Sequence, residues 1–173
     1  MKIRLLSPAL ALLLASALLT ACSPKYNWRD YASPDAPYKV MFPAKPASVT
    51  RTIDLDGMQV SMTMTAAEVD GATFAVGAAE APDEAQARTA LPAMMKALLR
   101  NIGADDGQGK FNADASGKTT GDIDATGSTN GVPVRLVGHF EARGKRVYQV
   151  IVLGKANAVP PEQVEQFLTS FKL

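Results

Sequence analysis

The chain has 173 residues, with 18 Lys and Arg against 17 Asp and Glu and a mean hydropathy of 0.00. That near-neutral balance gives no electrostatic footing for nucleic acid, which requires a basic face. One cysteine excludes a disulfide framework, so stability must come from a packed core.

Residues 1–4 carry Lys2 and Arg4, and residues 5–19 follow without a charge. A short basic start, an apolar run and small residues after it make a secretory signal. The fifteen apolar-run residues fall short of the roughly 20 that an α-helix needs to cross a bilayer. Leu19-Thr20-Ala21-Cys22 then resembles the bacterial lipobox. In that motif diacylglycerol alkylates the cysteine thiol, a dedicated peptidase cuts just before the cysteine, and the new amine is acylated. Residues 1–21 are therefore expected to be a lipoprotein signal peptide, with Cys22 as the lipid-attachment site and the membrane as partner through palmitate-like chains. At about 0.8 kcal/mol per buried methylene, two or three chains anchor stably where one would be marginal. Asp after the cysteine retains such proteins in the inner membrane of enterobacteria, so Ser23 points to the outer membrane, facing the periplasm. Loss of Lys2 and Arg4 leaves 16 basic and 17 acidic residues, a net charge of −1 with His uncharged.

Residues 22–37, CSPKYNWRDYASPDAP, hold three prolines and no periodic apolar pattern, and read as a tether. Tyr26, Trp28 and Tyr31 suit a membrane interface, and Trp28 and Tyr31 equally suit the edge of the domain. A single domain is expected over 38–173. Tyr38, Val40 and Phe42 alternate with Lys39 and Met41 until Pro43 ends the strand. Residues 49–55 and 58–64 form a hairpin across Asp56-Gly57, a favoured type I′ pair. Ile53, Leu55, Met58, Val60, Met62 and Met64 make its apolar row. Asp70-Gly71 signals a second hairpin leading into 73–78, with Phe74 and Val76 inward.

A helix is expected over 83–102, capped by Asp83, ended by Gly103, with Leu91, Met94, Met95, Leu98, Leu99 and Ile102 as its apolar stripe. Pro92 predicts a kink or break near Ala90. Residues 104–121 read as loop with an irregular strand around Phe111. Strand 122–129 then meets 133–142 across Asn130-Gly131, and 133–142 meets 146–153 across Arg143-Gly144-Lys145. Residues 147–152 are apolar almost throughout, as in a central strand. A last helix over 161–170 starts on a proline and presents Val164, Phe167, Leu168 and Phe171 on one face. The fold class is α+β, an antiparallel sheet with helices packed on it.

Two stretches carry a resemblance. YKVMFPAKP (38–46) is similar to the Tyr/Phe-x-Val-x-Phe-Pro-x-x-Pro opening of small envelope proteins of the PsbP-like family. RVYQVIVLGKANAVPPEQVEQFLTSFKL (146–173) is similar to their close, a long strand, a spacer and a helix ending Phe-Leu-x-Ser-Phe. The resemblance covers 38–173 and implies an α/β/α sandwich, as in DcrB-like lipoproteins. It implies binding or assembly roles and brings no catalytic residues with it.

The residues themselves offer little chemistry. His139 shares a strand face with Arg135, Val137 and Glu141, and Glu141 could orient the ring as an acid/base pair. With no nucleophile beside it, His139 reads as a partly exposed structural residue. In Gly127-Ser128-Thr129-Asn130-Gly131 the serine stands one place early for G-x-S-x-G, and Gly107-Gln108-Gly109 lacks the third glycine of a dinucleotide loop. Asp122, Asp124, Thr126 and Ser128 match EF-hand positions 1, 3, 5 and 7, with Gly127 at 6. Position 12, however, is Pro133 instead of Glu, and a hairpin turn accounts for the same residues. Met58, Met62, Met64, Met94 and Met95 could hold soft copper, but they occupy faces that need burial. No catalytic, cofactor-binding or metal-ligating residue is expected. The expectation is a non-enzymatic envelope lipoprotein that binds a protein or envelope component on the periplasmic side. The alternative is a small-ligand carrier with its pocket between helix 83–102 and the sheet.

Overall fold

Period-two alternation, punctuated by Asp-Gly and Asn-Gly pairs, builds most of the molecule. The computed structural model describes residues 25–104, 110–158 and 160–173. Cys22, Ser23 and the Gly107–Gly109 stretch lie outside the described residues. In chain order the elements are β1 Arg29–Ala32, β2 Lys39–Phe42, β3 Ala47–Leu55, β4 Met58–Val69, β5 Ala72–Glu80 and α1 Glu84–Asn101, then β6 Phe111–Ala113, β7 Thr119–Thr129, β8 Val132–Arg143, β9 Arg146–Lys155 and α2 Pro161–Ser170.

Strands β3 to β9 make one antiparallel sheet in the order β3-β4-β5-β9-β8-β7-β6, and β1 pairs with β2 as a separate ribbon. Asp56-Gly57, Asp70-Gly71 and Asn130-Gly131 all have positive φ at both positions. That is the backbone a type I′ turn demands, and its twist matches that of the strands it joins. Two meanders, β3-β4-β5 and β6-β7-β8-β9, meet along β5 and β9, where Thr73 lies opposite Leu153 and Glu80 opposite Arg146. The result is a mixed α+β fold.

Both sheet faces are covered, which is why β9 is apolar at consecutive positions. Tyr148, Val150 and Val152 point into a core with Phe42, Phe74, Val164 and Phe167, roofed by α2 and the ribbon. Val147 and Ile151 point to the other side, where Leu91, Met94, Met95 and Leu99 of α1 pack. The Asp83 carboxylate accepts the Gln86 N–H at 2.8 Å to cap α1. At the other end Gly103, at φ +60°, donates to Arg100 O (3.1 Å), and Ala104 donates to Leu99 O (3.0 Å). Paired bonds of this kind close a helix in a Schellman motif. The break expected near Ala90 does not occur, because α1 runs through Pro92. Interior proline costs a helix about 3 kcal/mol. Leu91 is fully buried beside it and Met94 and Met95 are each 2% exposed, so burial of this face offsets the loss.

Residues 26–36, read from sequence as tether, belong to the fold. Arg29 pairs with Phe42 and Ala32 with Lys39, and the Asn27 N–H donates to Pro43 O at 2.8 Å. Tyr26 stacks on Trp28, and both meet the ring of Phe74 edge-on at 6.3 and 6.1 Å. Tyr31 meets Phe42 at 5.5 Å. Three aromatic rings find apolar partners in the core, and this outweighs the local bias of the prolines.

Candidate functional site

On the side of the sheet that carries α2, the apolar core reaches as far as Val137. Beyond it β7 and β8 place a strip of polar side chains, set by the register of their hairpin. A two-residue turn at Asn130-Gly131 puts Asp122 opposite His139, Asp124 opposite Val137 and Thr120 opposite Glu141. Asp122 Oδ1 lies 2.7 Å from His139 Nδ1. The Arg135 guanidinium donates to both oxygens of Asp124, Nε to Oδ1 at 2.8 Å and Nη2 to Oδ2 at 2.7 Å. This bidentate bond holds the Asp124 carboxyl below the usual carboxylate range and raises Arg135 above its own.

The buried member of the strip is Glu141, 4% exposed. Lys118 Nζ lies 3.5 Å and His139 Nε2 3.7 Å from its Oε2. Arg143 Nη2 is 3.1 Å from its Oε1, a charge contact without hydrogen-bond geometry. His139 therefore stands between two carboxylates, with Asp122 nearer than the Glu141 that sequence spacing singled out. With a carboxylate beside each ring nitrogen, the imidazole bridges charges across the strands. Lys118 and Arg143 sit at strand ends; sequence reading passed over Lys118 and took Arg143 only as a turn residue.

Replacing Glu141 by Gln keeps the shape and removes the charge that Lys118 and Arg143 share. Removing one partner of a buried pair costs about 3–5 kcal/mol where both are desolvated. Here the cations are partly exposed, so Glu141→Gln is expected to cost about 1–2 kcal/mol in urea unfolding. Arg143→Gln, at a side chain 53% exposed, should cost less than about 0.5 kcal/mol.

The EF-hand match dissolves in the strand. Asp122, Asp124, Thr126 and Ser128 all lie on β7, where alternate residues stand about 7 Å apart in a row and do not curl around a point. Among the described residues no group of three or more His, Cys, Asp or Glu is placed to hold a metal ion. The methionines line the core beneath α1, with Met62, Met94 and Met95 buried and Met58 and Met64 packed against them. Met64 Sδ also accepts from Gln149 Nε2 at 3.4 Å. The space between α1 and the sheet, where the alternative carrier reading puts its pocket, holds these methionines with Leu91 and Leu99. A cleft of about 510 Å³ lies instead at the side of α1, facing the β3–β4 turn, lined by Asp54, Asp56, Lys96 and Arg100 among others. No described helix is long and apolar enough to cross a membrane.

Compared with known proteins, the chain matches no family model and no curated sequence, so its functional assignment rests on its own residues.

Proposed function

We propose that the chain is a lipid-anchored protein of a bacterial envelope, attached through Cys22 on the periplasmic side of the outer membrane. Its α+β domain, of PsbP-like sandwich type, works by non-covalent binding of a protein or envelope component and not as an enzyme. The lipobox Leu19-Thr20-Ala21-Cys22, behind a basic and then an apolar stretch, supports the anchor. The observation that carries the binding role is the strip of paired charges on β7 and β8. Charges held in advance on rigid strands lose little freedom when a partner docks, and their alternating signs favour one partner over others. A small-ligand carrier is the second reading, favoured by the cleft beside α1, whose charged lining suits a polar ligand.

Cys22→Ala in the full chain is expected to abolish fatty-acid labelling and to release the protein from sedimenting membranes. Unchanged label and sedimentation would sink the anchor. Crosslinking in the native envelope should recover a component that Asp124→Ala/Arg135→Ala captures several-fold less. Equal capture by both proteins would move the binding function away from the strip.

A further inference from the structure

The lipid and the folded domain are very close in sequence. Three residues separate Cys22 from Tyr26. From Tyr26 onward the chain is fixed: Tyr26 and Trp28 lie against Phe74, the Trp28 Nε1–H donates to Gln163 Oε1 at 3.2 Å, and Asn27 bonds to Pro43. Lys25 itself forms an ion pair with Asp70 in the β4–β5 turn. Fully extended, the four steps from Cys22 to Tyr26 reach about 13 Å. Acyl chains hold the cysteine at the edge of the hydrocarbon, and about 5–8 Å of headgroup layer lies above it. About half of the available chain is used in crossing that layer, and only a few ångströms remain between the domain and the membrane surface.

Tyr26 enters at one defined end of the sheet. The β4–β5 turn at Asp70-Gly71, the β7–β8 turn at Asn130-Gly131, the end of β9 at Lys155 and the start of α2 at Pro161 share that end. The β3–β4 turn at Asp56-Gly57, the β8–β9 turn and the start of α1 lie at the other. We infer that the end bearing Asp70-Gly71 and Asn130-Gly131 rests against the bilayer surface, held there by the short chain from Cys22. The strands then stand upright on the membrane. The charged strip climbs away from it, with Asp124 and Arg135 nearer the lipid and Glu141 and Arg143 farther out. The inference rests on lipidation of Cys22.

The test uses the lipidated full chain in vesicles of phosphatidylethanolamine and phosphatidylglycerol. With the native thiol consumed by lipid, one added cysteine is the only site for a fluorophore. Asn157→Cys and Lys145→Cys report the two ends at exposed positions, separated by about 30 Å, the length of β9. Quenchers carried on the lipid headgroups should quench the Asn157→Cys label several-fold more than the Lys145→Cys label. A Gly/Ser insert of about 20 residues after Ser23, with a mean span of about 25 Å, should abolish that difference. Equal quenching at both ends without the insert overturns the orientation. A difference that survives the insert overturns the short chain as its cause. Flotation with the vesicles is read separately: protein that does not float has lost the anchor, which overturns the Cys22 reading and the orientation with it.

Discussion

Phe167→Ala is expected to destabilise the domain by about 4 kcal/mol, the middle of the range for deleting a buried aromatic ring. Phe167 is fully buried and meets Phe42 and Phe74, each at 5.4 Å, so one ring of α2 touches the ribbon and the central sheet together. Its edge-on contact with Phe74 adds about 1 kcal/mol beyond area burial. α2 is also tied by two hydrogen bonds, the Trp28 Nε1–H donating to Gln163 Oε1 (3.2 Å) and the Met41 N–H to Ser170 Oγ (3.0 Å). It has ten residues, no side-chain hydrogen bond at its N-cap, and only Val164 and Phe167 as buried residues. An isolated helix of that length is marginal in water, so its existence depends on docking. Phe167→Leu fills more of the space and should recover most of the loss. Leu168→Ala, at a side chain only partly buried, should cost about 1 kcal/mol. Urea unfolding with an unchanged m-value reads these differences directly. A Phe167→Ala midpoint close to wild type would mean that α2 is held by something other than this ring.

The sheet was legible because its information is local. Asp56-Gly57, Asp70-Gly71 and Asn130-Gly131 each mark a turn whose two positive φ values few other dipeptides accept. The run from Val147 to Val152, apolar except at Gln149, likewise declared a strand covered on both faces. Where the deciding contact is distant, sequence reading failed. Tyr26 looks like a linker residue, and Trp28 is divided between membrane and domain edge, until Phe74, far along the chain, provides their surface. Pro92 is tolerated because Leu91 and Met94 are buried by the sheet, which a helical pattern cannot register. The Asp122–His139 pair is a different case. Pairing outward from Asn130-Gly131 brings Asp122 opposite His139, so the partner was present in the turn. Weighing His139 only against Glu141 on its own strand left the partner across the hairpin unread.

Gly127→Ala should cost about 3 kcal/mol, although glycine in a strand is ordinarily improved by a side chain. A replacement that fits without strain stabilises by about 0.4–1 kcal/mol, because the unfolded chain loses freedom. At Gly127 a Cβ would stand 2.1 Å from Ile102 O and 2.9 Å from Ile102 C. The obstacle is backbone, so no rotamer change relieves it. The end of α1 lies directly on β7 here, and Ile102 O accepts the Ser128 N–H at 2.6 Å. A methyl group must lift that end of the helix, and overpacking of this kind costs about 1–3 kcal/mol. Stretching the Ser128 bond adds about 1 kcal/mol, and Ile102, only 2% exposed, begins to meet water. Gly131→Ala separates this mechanism from simple backbone strain. Nothing lies within 4 Å of its Cβ, while its φ of +78° is unfavourable, so it should cost about 1 kcal/mol. Trimming Ile102 to Ala should not rescue Gly127→Ala, because the carbonyl remains. Amide exchange at Ser128 gives the local readout: the substitution should remove its protection while β9 amides stay protected up to global unfolding. Full stability with a protected Ser128 amide in Gly127→Ala would require that α1 end elsewhere than on β7.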